Sequence, residues 1–167
     1  MNFNFPQNMS NDLTSNTKKP FIVVVNSNNK LFGNNNVANY NFDWFFIPDI
    51  PYNVSFSFSA SDNNAYVLAT APTANIHIDF GECSQTFICL TGIDSARTTP
   101  YLGTLRKAIS SGANYYLFAN RTTNPPIYLN GRPNNKFFRV NILTDTGAGY
   151  DLSMLGSYVL TLYFEPV

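Results

Sequence analysis

The stretch from Tyr52 to Ala60 constrains this chain more than any other. Tyr52, Val54, Phe56, Phe58 and Ala60 alternate without a break with Asn53, Ser55, Ser57 and Ser59. Successive side chains of a strand point to opposite faces, so nine residues of period two predict an antiparallel strand with one dry face and one wet face. Such a strand needs partners along its edges and a second layer over its apolar side.

The rest of the chain can supply both. Tyr158, Leu160, Leu162 and Phe164 line one face of residues 157–165, and Ile76, Ile78 and Phe80 line one face of residues 75–80. Further strands are predicted at 65–71, 86–91, 114–119, 127–129 and 136–143. Phe21-Ile22-Val23-Val24-Val25 is apolar at every position, which predicts a strand buried on both faces. Residues 40–46 are aromatic and strand-like, and Pro48 and Pro51 close them. Turns rich in Asn or Gly stand at 26–30, 33–36, 61–64 and 81–85, and a Gly147-Ala148-Gly149 loop precedes the last strand. Residues 92–113 form the longest irregular stretch. Within it, Leu102, Leu105 and Ile109 recur at helical spacing and predict one or two helical turns over 101–109.

Eight to ten short strands without an internal repeat predict an all-β fold, a single jelly-roll-like antiparallel β-sandwich over residues 21–167. Residues 1–20 are polar, contain Pro6 and end in Lys18-Lys19-Pro20. They hold too little apolar surface for a core and predict an extended N-terminal arm, either a loose tail or a segment that orders against a neighbouring subunit.

Charge narrows the function classes. Ten basic and ten acidic side chains give a formal net charge of +0. Phosphate binding needs a surplus of Lys and Arg, so no nucleic-acid partner is expected, and no electrostatic membrane anchor either. Charged residues make up 12% of the chain, about half the usual share. A surface this weakly charged offers little resistance to self-association, which suits an assembly subunit. Asn fills roughly one position in seven, and Phe and Tyr number 15 and 10. An AT-rich genome produces this mixture without selection for function; the sharper reading is a hydrogen-bonding surface for sugars or partners. Residues 1–20 lack the basic start and apolar centre of a signal peptide, which predicts synthesis and folding in the cytosol. No stretch approaches the ~20 apolar residues of a membrane helix, so no transmembrane segment is expected.

Chemistry is sparse. His77 is the only histidine, and Asn75, His77 and Asp79 alternate along one strand. One strand offers two ligands at most, so these residues are expected on a solvent-facing surface and not in a metal site. The acids Asp12, Asp43, Asp49, Asp62, Glu82, Asp94, Asp145, Asp151 and Glu165 form no evident catalytic pair. There is no phosphate loop, nucleotide fingerprint, nucleophile elbow or zinc-protease motif. Cys83 and Cys89 are ~20 Å apart along an extended strand and are expected as free thiols. No catalytic, cofactor-binding or metal-ligating residue is assigned, and an enzyme is not expected. Trp44, Tyr115, Tyr116 and Tyr128, with the Asn-rich loops, could instead stack on and hydrogen-bond a sugar.

Five segments carry a resemblance. They are Asp43-Trp44-Phe45-Phe46, the strand Tyr52-Asn53-Val54-Ser55-Phe56-Ser57-Phe58, Asn124-Pro125-Pro126-Ile127-Tyr128-Leu129, the run from Arg132 to Val140, and the terminal run from Tyr158 to Glu165. Together, over residues 40–167 in broad pattern, the chain resembles the small jelly-roll proteins of large icosahedral double-stranded DNA viruses, especially those of algae and protists. The resemblance implies a minor capsid protein, a cement or penton-like subunit in the virion, made in the host cytoplasm. Its implied partners are the major capsid protein and other capsid subunits, with self-association among the options. The chain is too short for the double jelly roll of a major capsid protein. No functional residue carries over by position. The runner-up is a carbohydrate-binding or host-attachment jelly roll.

Overall fold

The computed structural model describes residues 19–61, 73–81, 101–111, 114–144 and 155–167. Nine strands lie among them: β1 (Phe21–Asn26), β2 (Val37–Asn41), β3 (Tyr52–Ala60), β4 (Thr73–Ile78), β5 (Tyr101–Ser111), β6 (Asn114–Ala119), β7 (Ile127–Leu129), β8 (Phe137–Thr144) and β9 (Tyr158–Pro166). All pairings are antiparallel, in the order β1-β9-β3-β6-β5-β4-β8-β2, with β7 also on β3.

This path divides at its weakest joint. β3 and β6 pair only at Phe58↔Ala119 and Ser59↔Phe118. One side of the joint holds β1-β9-β3-β7; the other holds β2-β8-β4-β5, with β6 in a hairpin on β5. Two antiparallel layers with cores β1-β9-β3-β7 and β2-β8-β4-β5 in this interleaved order, with β6 as a ninth strand bridging β5 and β3, are a jelly-roll-like arrangement. The path folds over until β2 faces β9. Tyr40 of β2 meets Tyr158 of β9, hydroxyl to hydroxyl at 3.0 Å, and both are buried. Each phenol thereby finds a polar partner inside the core. Burial pushes both phenol pKa values above the ordinary 10.

The core lies between the layers. β3 and β9 contribute Tyr52, Val54, Phe56 and Phe58 with Tyr158, Leu160, Leu162 and Phe164; β4 and β8 contribute Ile76, Ile78, Phe138, Val140 and Ile142. The period-two readings of β3 and β9 therefore hold for their apolar residues, while Ser55, read on the wet face, is buried. Each large side chain of this kind is worth roughly 1.5–3 kcal/mol when fully buried.

Four expectations are corrected. β1 is not buried on both faces: Val23 and Val25 are buried, while Ile22 and Val24 are 62% and 64% exposed. Each layer of the sandwich is covered on one face only, so β1 meets the core with its inner face alone, as its neighbour β9 does. The strand read over 40–46 stops at Asn41, and Trp44–Phe46 form a 3-10 turn. The helical turns read over 101–109 are part of the eleven-residue β5. The pairing of β4 with β5 slips between Ile76↔Gly103 and His77↔Tyr101, a bulge that adds Leu102. One added residue breaks the alternation, so the buried Leu102 and Leu105 stand three apart and mimic a helical period. Finally, His77 is buried beside Asn141 and Tyr101 instead of facing solvent.

The N-terminal arm before Lys19, the strands read at 65–71 and 86–91, Cys83, Cys89 and the loop at 147–149 lie outside the described residues.

Candidate functional site

Apolar side chains held at the surface mark two places. The first is the 3-10 turn after β2. Asp43 starts it, its Oδ1 accepting the Phe45 N–H at 3.0 Å, and the Ile47 N–H closes it on the Trp44 carbonyl at 2.9 Å. A 3-10 turn has three residues per turn, so consecutive side chains diverge by about 120°. Trp44 points inward, 3% exposed, among the rings of Phe42, Phe80, Phe138 and Phe164 with centroids 4.6 to 6.0 Å away. Phe45 and Phe46 must then point out, and they are 74% and 80% exposed.

The loop before β8 braces this turn. Arg132 Nη1 donates to the Phe45 carbonyl at 3.2 Å and the Ile47 carbonyl at 3.1 Å, and its guanidinium lies over the Phe45 ring at 5.2 Å. Its backbone N–H donates to Asp49 Oδ1 at 2.9 Å. Tyr52 adds a bond from its hydroxyl to the Pro48 carbonyl at 2.8 Å, and burial pushes its pKa up to about 12. Between the two loops is a recess of about 200 Å³ lined by Phe42, Trp44, Phe45, Arg132, Asn134 and Lys136. Two exposed rings on a turn fixed from both sides lose little conformational entropy on contact, as interface anchors require. Phe137, 62% exposed, starts the adjacent β8.

The second place is the outer face of the β1-β9-β3-β7 layer. Register puts Ile22, Tyr163 and Ser55 in one row and Val24, Thr161 and Ser57 in the next. The apolar members lie toward β1 and the serines toward the middle. Arg121 crosses this face. It donates from Nε to Ser55 Oγ at 3.0 Å, pairs with Glu165, and lies 4.6 Å from the Tyr163 ring centre. The Arg121–Glu165 pair is exposed and contributes little stability. Beside it opens a groove of about 540 Å³ lined by Ser55, Arg121, Thr123, Asn124, Pro125 and Glu165.

Several residues singled out from sequence do not converge. Asp79 lies beyond the end of β4 and accepts the Gly81 N–H on Oδ1 at 2.8 Å, away from the buried His77. Asn75 Oδ1 accepts from Thr104 Oγ1 at 3.2 Å. Of the aromatic sugar-stacking candidates, Trp44 is core, Tyr116 is half-buried, Tyr128 is 37% exposed, and the Tyr115 side chain lies outside the described set. The roles of Phe45, Phe46, Arg121 and Arg132 were missed from sequence. The legible signal for the first pair was two large aromatics after an Asp and just before Pro48, a capped turn too short to bury three rings.

Fold and surface together define the class: a jelly-roll β-sandwich with apolar side chains held at its surface. No protein-family model matches the chain, and no curated protein matches it. Among the described residues, no helix is long and apolar enough to cross a membrane.

Proposed function

We propose that this protein is a non-enzymatic structural subunit of a viral capsid, a minor cement or penton-like protein held in the virion by contacts with the major capsid protein and its neighbours. The observation that carries the reading is the braced turn that holds Phe45 and Phe46 out of a jelly-roll domain. Large exposed aromatics on a rigid support are costly in an isolated protein and useful in an assembly, where they fill a partner's pocket. The low surface charge fits the same use, since a neighbour meets few charges that must be desolvated.

Co-sedimentation with capsid shells stripped of their small subunits tests the proposal. The wild-type protein is expected to sediment with the shells, and binding should survive salt because the contact is apolar. Replacing both rings, Phe45→Ser with Phe46→Ser, should weaken binding at least about tenfold, the effect of losing one modest hot spot. No sedimentation of the wild-type protein would defeat the capsid reading.

A second reading, a glycan-binding or host-attachment module, draws on the groove beside Arg121. Tyr128, Asn53 and Glu165 share a row across β7, β3 and β9, and Glu165 joins that row to the groove lining, offering one aromatic face and several hydrogen-bonding groups. Glycan-array binding that disappears in Tyr128→Ala would favour it over the capsid role.

A further inference from the structure

The recess beside the braced turn is walled by two side chains whose hydrogen-bonding capacity is unused. Trp44 Nε1 and Asn135 Oδ1 are both buried, and neither has a hydrogen-bond partner. Trp44 and Asn135 both line this recess of about 200 Å³. Buried polar groups in folded proteins are nearly always paired, and leaving one unpaired costs stability. Two of them in the walls of one cavity call for an outside group that pairs with both.

Neither atom can be satisfied by a local adjustment. Asn135 Nδ2 donates to the Asp79 carbonyl at 2.8 Å and to the Phe137 carbonyl at 3.1 Å. Turning the amide round would set its oxygen against two carbonyls, so Oδ1 keeps its direction. Trp44 is wedged among the rings of Phe42, Phe80, Phe138 and Phe164, so its indole cannot swing out to meet water.

The two atoms define the chemistry of the occupant. An indole N–H only donates, and an amide oxygen only accepts. A carboxylate or phosphate only accepts and an ammonium only donates, so each would leave one of the two atoms unmatched. A secondary amide matches both, its C=O accepting from Trp44 Nε1 and its N–H donating to Asn135 Oδ1. Phe42 and Phe45 add apolar wall for a methyl group. Phe45, 74% exposed, offers a ring face at the mouth, and Asn134 and Lys136, also exposed, offer partners for hydroxyls. A peptide carries the same amide, but its chain continues in both directions. An acetamido group ends in its methyl and enters a recess of this size from one side. We infer that the recess binds the acetamido group of an N-acetylated sugar. Trp44 is too buried to stack on a sugar by its face; what it gives the ligand is its N–H edge. The inference goes beyond the capsid reading and does not depend on it, and the site is distinct from the groove beside Arg121.

Trp44 is the only tryptophan, so the proton–nitrogen correlation spectrum of the full-length protein has a single indole signal. The probes are N-acetylglucosamine, N-acetylgalactosamine and N-acetylneuraminic acid, with glucose and galactose as controls that lack the acetamido group. The indole signal is expected to shift saturably with at least one of the acetylated sugars and not with the controls. Trp44→Phe keeps a ring in the core and removes the N–H. With its fold checked by a melting curve, it should bind that sugar at least about fivefold more weakly by saturation transfer to the acetyl methyl, the worth of one neutral hydrogen bond. Phe45→Ser, on the exposed rim, is a second variant that should also weaken binding, and it serves if Trp44→Phe does not fold. An indole signal unmoved by all the acetylated sugars, or moved equally by glucose and galactose, overturns the inference. A response confined to N-acetylalanine methylamide, a small peptide amide, overturns it in favour of a peptide ligand. No capsid shell enters the experiment, so its outcome is separate from that of the capsid proposal.

Discussion

At the scale of single residues, the fold turns on a few close approaches. Gly103 lies where β5 meets Phe56 and Asn124: a Cβ there would stand 2.6 Å from the Phe56 ring and 2.6 Å from the Asn124 side chain. Asn124 cannot easily retreat. Its amide accepts the Thr104 N–H at 2.8 Å and donates to the Thr104 carbonyl at 3.1 Å, serving β5 as a strand would where β6 no longer reaches. Gly103→Ala should therefore cost about 1–3 kcal/mol through overpacking, measured by denaturant unfolding. The buried phenols set a pH dependence. Tyrosine in the unfolded chain ionises near 10, and burial raises Tyr40, Tyr52 and Tyr158 above that value. Because the folded values are the higher ones, their contribution is complete below about pH 10 and is lost as pH rises through them, for Tyr52 by about 12. Thermal melts should show Tm falling over that interval. The double change Tyr40→Phe with Tyr158→Phe should make the fall shallower, and an unchanged slope would contradict this assignment.

At the scale of elements, legibility followed burial geometry. β3 and β9 were readable because both pair along their length, bury one face and leave the other more open, Ser55 excepted, so pattern and environment largely agree. β1 misled because Ile22 and Val24 are apolar yet face outward, and sequence alone does not separate a buried strand from an apolar edge. β5 misled for the opposite reason, since its bulge set two inward residues three apart. Its true role is testable. Leu105 is fully buried in a strand, so Leu105→Ala should cost about 2–5 kcal/mol, read from the shift in denaturant midpoint. A loss below 1 kcal/mol would place Leu105 outside the core. His77 shows a further limit: the residues two positions away that share its face, Asn75 and Asp79, are polar, but strand pairing with β5 and β8 encloses it.

At the scale of the whole molecule, the jelly-roll order joins residues far apart in the chain; the jelly-roll-like sandwich was legible beforehand as a class, but its strand order was not. Strand existence can be read locally, whereas the interleaving of β1-β9-β3-β7 with β2-β8-β4-β5 depends on non-local pairing. The candidate surface was less legible still. Phe45 and Phe46 are unremarkable in a chain of fifteen phenylalanines until Trp44 is seen to anchor the turn and Arg132 to brace it. The capsid proposal rests on what such a surface is for, so it is tested most directly on particles. Quantitative mass spectrometry of purified virions is expected to find this chain at a fixed copy number per major capsid protein, retained through salt washes. Its absence from intact particles, with the protein recovered free from infected cells, would contradict the proposal.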